Sequence, residues 1–193
     1  INMDDAQSLV IITAPSGSGK STIVQYLLQH IPELAFSVSA CTRMPRANEQ
    51  DGVNYYFISV NDFETRIQSN AFAEYEMVYP GKYYGTLHSE LQKIWQRQQH
   101  PLVDIDVQGA LRLKNTFANR ALTLFIQAPS IEELEKRLRL RGTETEASLQ
   151  ERLAKATEEL SYASRFDAII LNDDLHTACV ETAQRIRNFL HLA

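Results

Sequence analysis

The sequence predicts an α/β protein: a three-layer core with a parallel sheet flanked by helices, plus a small β-rich insertion. Three observations carry this. Leu9-Val-Ile-Ile-Thr13 is an apolar, β-branched run of the kind buried on both faces of a parallel sheet, and a glycine loop and a helical pattern follow it at once. From Leu102 onward, strand-like and helix-like segments alternate to the end of the chain. Between these parts, Ser37 to Gln98 is rich in short extended segments and turn residues.

In order, Ala14-Pro15-Ser16-Gly17-Ser18-Gly19-Lys20-Ser21-Thr22 links the first strand to a helix over Ser21–Gln29. Strand, glycine loop, Lys-Ser and helix form a phosphate-cradling loop, the P-loop. Gly17 and Gly19 let backbone N–H groups turn inward, and the helix N-terminus adds its dipole. Lys20 supplies a point charge for β- and γ-phosphates, and the Ser21 hydroxyl suits magnesium. Ala14 stands where the strict pattern has glycine.

Phe36–Ala40 alternates as a strand, and Cys41 to Val53 is a polar loop broken by Pro45 and Gly52. Tyr55–Ser59 is extended, Asn61 with Glu64 offers a capping box for a short helix, and Phe72–Tyr79 is extended again. Pro80-Gly81 is a turn, Tyr83 and Tyr84 between Gly81 and Gly85 read as part of a turn, and Leu87–Gln98 reads as a helix. Beyond it come a strand at Leu102–Val107, a helix from Gly109, a strand at Ala121–Gln127 and a helix at Ile131–Leu140. A helix over Ala147–Arg165, a strand at Ala168–Leu171 and a helix at Leu175–Leu190 close the chain.

The 193 residues suffice for one core with an inserted lobe, and 44% hydrophobic with 22% charged residues is an ordinary globular balance. A net charge of -5 argues against nucleic acid as the main partner. No apolar run approaches a membrane span. Cys41 and Cys179 lie far apart with no ligand spacing, which fits a reducing compartment and no structural zinc. Asp4 and Asp5 sit where a secretory leader would be basic, so cytoplasm is expected. Ile1 and Asn2 ahead of Met3 read as foreign to the natural start.

Several constellations bear chemistry. Asp104 and Asp106 alternate onto one face at a strand end, fitting magnesium organisation or contact with a second substrate; a helix cap explains Asp106 well and Asp104 poorly. Arg43 and Arg46 with Tyr55 offer two guanidinium forks and a phenol for a phosphate, and a solvated basic loop reads equally well from that segment alone. Glu74 sits among apolar residues, where a carboxylate needs a partner; guanine's N1–H and 2-amino group are one such donor pair, and taken alone Glu74 reads as an exposed strand-face acid. Arg137, Arg141 and Arg152 fit charge neutralisation on a moving phosphoryl group, while beside Glu132, Glu133, Glu135 and Lys136 helical arginines read first as a solvated face.

From the first strand to about Leu175 these segments resemble, in order, guanylate kinase. The carriers are the Ala14–Ser21 loop, Ser37-Val-Ser-Ala-Cys-Thr-Arg43 with Pro45-Arg46, and Asp51-Gly-Val-Asn-Tyr55. Glu74, Tyr83-Tyr-Gly-Thr86, Asp104-Ile-Asp-Val-Gln-Gly109, Arg141-Gly-Thr-Glu-Thr145 and Leu171-Asn-Asp-Asp174 complete them. The resemblance implies a core at 1–36 and 99–193, a GMP-binding lobe at 37–98 and a helical lid at about 137–147. It implies MgATP-dependent phosphorylation of GMP or dGMP. By position, Ser39, Glu74 and Thr86 would read guanine, while Arg43, Arg46, Tyr55 and Tyr84 would hold the GMP phosphate. Lys20, Arg137, Arg141 and Arg152 would stabilise the transferring phosphoryl group, and Asn172 would lie by the adenine. Asp104 and Asp106 belong near the substrate and a magnesium water. Cys41 departs from the family's usual threonine, and Thr86 replaces a serine found in some members. The alternative is a non-catalytic guanylate-kinase-like binding module; a second is a kinase with another base preference. The sequence implies no nucleic acid or membrane partner and leaves the oligomeric state open.

Overall fold

The computed structural model describes residues 7–140 and 145–192. Strand β1 (Leu9–Thr13) is buried throughout, as its lack of a polar face requires. It lies at the centre of a parallel sheet of order β2-β7-β1-β8-β9, with β2 at Leu34–Phe36, β7 at His100–Asp104, β8 at Ala121–Gln127 and β9 at Ala168–Leu171. Val10 and Ile12 face helices α1 (Lys20–His30) and α7 (Leu175–Phe189), packing with Ile23, Leu27, Cys179 and Ile186. Leu9 and Ile11 face α3 (His88–Gln96) and α4 (Val107–Phe117), packing with Leu91, Val107, Leu111 and Phe117. Three layers follow from one strand's alternation.

Strands β3 (Ala40–Cys41), β4 (Tyr56–Phe57), β5 (Phe72–Tyr79) and β6 (Lys82–Leu87) form a second sheet of order β4-β3-β6-β5. Helix α2 (Val60–Gln68) covers it, and Phe63 stacks on Phe72 at 4.2 Å and on Tyr83 at 5.1 Å. Helices α5 (Ile131–Leu140) and α6 (Glu146–Ser161) share a separate cluster of Leu134, Leu138, Leu149, Leu153 and Ala156.

Some local expectations change. The expected strand at Phe36–Ala40 divides between the two sheets, β2 ending at Phe36 and β3 beginning at Ala40. Ser59 rather than Asn61 caps α2, its Oγ accepting from the Asp62 N–H at 3.0 Å. Starting there keeps Phe63 on the buried face. Tyr83 and Tyr84 lie within β6, and the turn is confined to Pro80-Gly81, where Gly81 has φ 72. The helix expected over Ala147–Arg165 ends at Ser161 and is followed by a 3-10 turn at Ala163–Arg165.

Gly85 leaves room for the aromatic stack: a Cβ there would lie 2.8 Å from Phe72 Cδ1 and 3.0 Å from Phe63 Cζ. Overpacking of this kind costs about 1–3 kcal/mol. Gly85→Ala is therefore expected to lower the melting temperature by about 2–10 °C in calorimetry. An unchanged melting temperature would show that the stack yields freely.

Candidate active site

The carboxyl ends of β1 and β7 meet at the mouth of the phosphate loop, because Ile12 pairs with Asp104 in register. Gly17 and Gly19 have φ 91 and 90, conformations that L side chains rarely adopt. Neither has space for a side chain. A Cβ on Gly17 would lie 3.1 Å from Leu138 Cγ of α5, and one on Gly19 would lie 2.2 Å from Asn172 Nδ2. Asn172 is buried and donates to the Ser18 carbonyl at 2.7 Å, bracing the loop from beneath. Arg137 Nη2 in turn donates to the Asn172 carbonyl at 3.1 Å. From α6, Arg152 Nη1 donates to Ser16 Oγ at 2.9 Å. Lys20 forms an ion pair with Asp104.

A cleft of about 630 Å³ opens here, lined by the loop from Ala14 to Ser21 together with Ser39, Arg46, Tyr55, Glu74, Tyr84, Asp104, Asp106 and Arg152. Of the other residues singled out in the sequence, Thr22 is exposed on α1 outside the lining. Arg43 is not among the lining residues. Both its terminal nitrogens donate to Glu49 at 2.6 Å, and it lies over the Tyr55 ring at 5.0 Å. This hydrogen bonding holds the Glu49 carboxyl down at about 2. Thr86 lies behind Glu74, and Arg137 and Asn172 lie behind the loop. Arg141 is outside the described residues.

Glu74 is not the exposed acid that its segment suggests; only 6% of it is accessible. Its Oε1 accepts from the Thr86 backbone N–H at 3.1 Å and from the Thr86 hydroxyl at 2.8 Å. Burial, reinforced by the charge of Asp106, pushes its carboxyl up to about 7, against the opposing pull of Thr86 and Arg112. Burial and Asp104 push the Tyr55 phenol up to about 12, so it stays a neutral donor. Asp106 caps α4, its Oδ1 accepting from Gly109 N–H at 2.9 Å, and also lines the cleft. The cap reading of Asp106 therefore holds, and the capping carboxylate also borders the cleft.

Helix α6 adds lining that the sequence reading missed: Ser148, Glu151, Lys155 and Glu159. Burial raises the Glu159 carboxyl to about 7 even though Lys155 and Lys20 oppose the shift. The available signal was spacing alone. Ser148, Arg152, Lys155 and Glu159 recur at three or four residues, which an ordinary solvated stripe also does.

Glutamine at position 74 keeps an oxygen for both Thr86 donors and removes the buried charge. Glu74 has a folded pKa of about 7 against an ordinary 4.5, so its ionisation penalty is absent below about pH 4.5, grows to pH 7 and is constant above. The ceiling is about 3 kcal/mol. Glu74→Gln should therefore melt above the parent at pH 8, by up to about 10 °C, with the gap narrowing toward pH 5. A gap independent of pH would remove the raised carboxyl pKa.

Known proteins share this pattern over almost the whole chain. The guanylate kinase family profile matches residues 6–189. Guanylate kinase of Bacteroides fragilis is 48% identical over 182 residues, covering 94% of this chain and 89% of that protein. Guanylate kinase of Salinibacter ruber is 48% identical over 185 residues, covering 95% and 97%. The crystal structure of guanylate kinase from Anaplasma phagocytophilum superposes with a TM-score of 0.72 at 29% identity, over 95% of this chain and 84% of that one. With phosphate loop, buried carboxylate and helical arginine brought to one cleft, and with matches spanning almost its full length, the chain belongs to the guanylate kinase family.

Proposed function

We propose that this chain transfers the γ-phosphoryl group of MgATP to GMP or dGMP, giving ADP and GDP or dGDP. The observation that carries it is the buried Glu74 carboxylate, fixed by Thr86 in the same cleft as the phosphate loop. A carboxylate matches the N1–H and 2-amino donors of guanine, which adenine and the pyrimidines do not present in that pattern. Ser39 lines the same cleft and is assigned to the base with Glu74.

In the proposed reaction an oxygen of the GMP phosphate attacks the γ-phosphorus while the bond to the β,γ-bridging oxygen breaks. No enzyme-bound intermediate or strong base is needed; alignment and charge neutralisation supply the catalysis. The loop N–H groups and Lys20 hold the ATP phosphates. Arg46, Tyr55 and Tyr84, all lining the cleft, hold the acceptor phosphate, with Arg43 joining once Glu49 releases it. The contact of Arg152 with the loop supports its assignment to the transferring group, and Arg141 and Arg137, the latter behind the loop in this structure, are assigned to the same charge. The hard oxygen donors fit magnesium: Ser21 would hold it, with Asp104 and Asp106 acting through water. The ion would supply charge neutralisation for the phosphate oxygens. The core is assigned to 1–36 and 99–193, the GMP lobe to 37–98 and the lid to about 137–147. The reaction is assigned to the cytoplasm, in keeping with the free cysteines Cys41 and Cys179. Gly17, Gly19, Lys20 and Ser21 all line the cleft, which weighs against a non-catalytic binding module.

Offered GMP, dGMP, AMP, CMP, UMP and dTMP separately with MgATP, the protein should form diphosphate from GMP and dGMP alone. Turnover of another monophosphate would discard the guanine assignment, and GMP binding without turnover would favour the binding module. Lys20→Ala should lower turnover by at least about 10³-fold with the fold retained. Near-normal turnover in that variant would refute the phosphate-loop assignment.

A further inference from the structure

Gly109 sits in the first turn of α4 with a negative φ, so backbone strain does not demand glycine there. Alanine is the better helix former at such a position. What excludes it is space: a Cβ would lie 2.8 Å from Glu74 Oε2, 3.2 Å from Glu74 Cδ and 3.4 Å from Ile105 Cδ1. Neither partner is free to retreat. Glu74 Oε1 is held by both Thr86 donors, and the Gly109 N–H is held by Asp106 Oδ1. One turn further along α4, Arg112 pairs with Glu76 of β5, drawing the helix against the strand that carries Glu74.

We propose that Gly109 is a specificity-positioning residue whose missing side chain sets the place at which Glu74 presents its carboxylate to the nucleobase. This rests on Glu74 as the base-reading group. A methyl at 109 moves Oε2 by about 0.5 Å or more to restore van der Waals distance, enough to spoil a two-point hydrogen bond. The acceptor base loses affinity while the ATP half of the site is untouched.

Steady-state kinetics with GMP and IMP, which lacks the 2-amino group, test this in four proteins: parent, Gly109→Ala, Glu74→Gln and the double variant. Gly109→Ala should raise KM for GMP about 10–100-fold, with kcat and KM for ATP within about threefold, and should narrow the preference for GMP over IMP. In the Glu74→Gln background the same methyl should change KM for GMP little, because base reading is already lost. If Glu74→Gln leaves KM for GMP and the preference intact, base reading by Glu74 fails, and this proposal with it. If Glu74→Gln weakens GMP and Gly109→Ala does not, only the role of Gly109 fails. An equal loss from the methyl in both backgrounds shows general disruption and overturns the proposal. Melting temperature gives an arm that holds even if Gly109→Ala is too unstable to assay. Gly109→Ala should lower Tm in the parent and leave it level or raise it by a few degrees in a Glu74→Ala background, where the carboxylate is gone. A similar loss in both would overturn the steric argument.

Discussion

Strand β1 has no polar face, so it can lie only between two layers of helix, and that constraint decides where the loop after it opens. Parallel neighbours on both sides bring their carboxyl ends to the same edge. The register with β7 then delivers Asp104 beside Lys20 with no further specification. The ion pair is a consequence of sheet order. Both partners remain partly exposed, at 23% and 21%, so neither is locked away from a phosphate or metal water.

The phosphate loop needs left-handed glycines to aim its N–H groups, yet a loop rich in glycine is entropically costly to order. The structure compensates from outside the loop. Asn172 fills the space beneath Gly19, and Leu134 and Leu138 close over Gly17. Arg137 ties α5 to the Asn172 carbonyl, and Arg152 ties α6 to Ser16. The helices that carry Arg137 and Arg152 are thereby fastened to the phosphate loop. A displacement of α5 or α6 is felt by the loop through packed side chains and hydrogen bonds.

Much of this was legible in the sequence, and the limits are physical. The three layers were legible because the unbroken apolar run of β1 and the alternation of strand-like and helix-like segments after Leu102 are local signals. Asp104 and Asp106 stood out because charge at the end of an apolar strand has few uses. Partner choice across the chain left no local trace. Nothing near Asn172 announces that it will fill the space under Gly19, and nothing near Arg152 that it will reach Ser16. The Arg43–Glu49 pair is local, only six residues apart, but it lies in an aperiodic loop where spacing carries no geometry. Ser59 rather than Asn61 supplies the cap, its hydroxyl both accepting from the Asp62 N–H and donating to the Asp62 carboxylate.

Charge balance in the cleft explains why its carboxylates are not ordinary. Among the described residues, Glu74, Asp104, Asp106, Glu151 and Glu159 face a cavity that also holds Lys20, Arg46, Arg152 and Lys155. Excess positive charge would suit phosphates but would not select a base, and a carboxylate that reads donors must be buried to exclude water. Burial raises Glu74 to about 7, so near neutrality a proton shares the place that guanine donors would take. On the proposed reading of Glu74 as the base-reading group, binding guanine would couple to release of that proton, and the donor pair would have to offset its cost. The buried acid is thus unfavourable to the free fold at high pH because it lacks water, and on the proposed reading the same dryness would strengthen its hydrogen bonds to a donor pair.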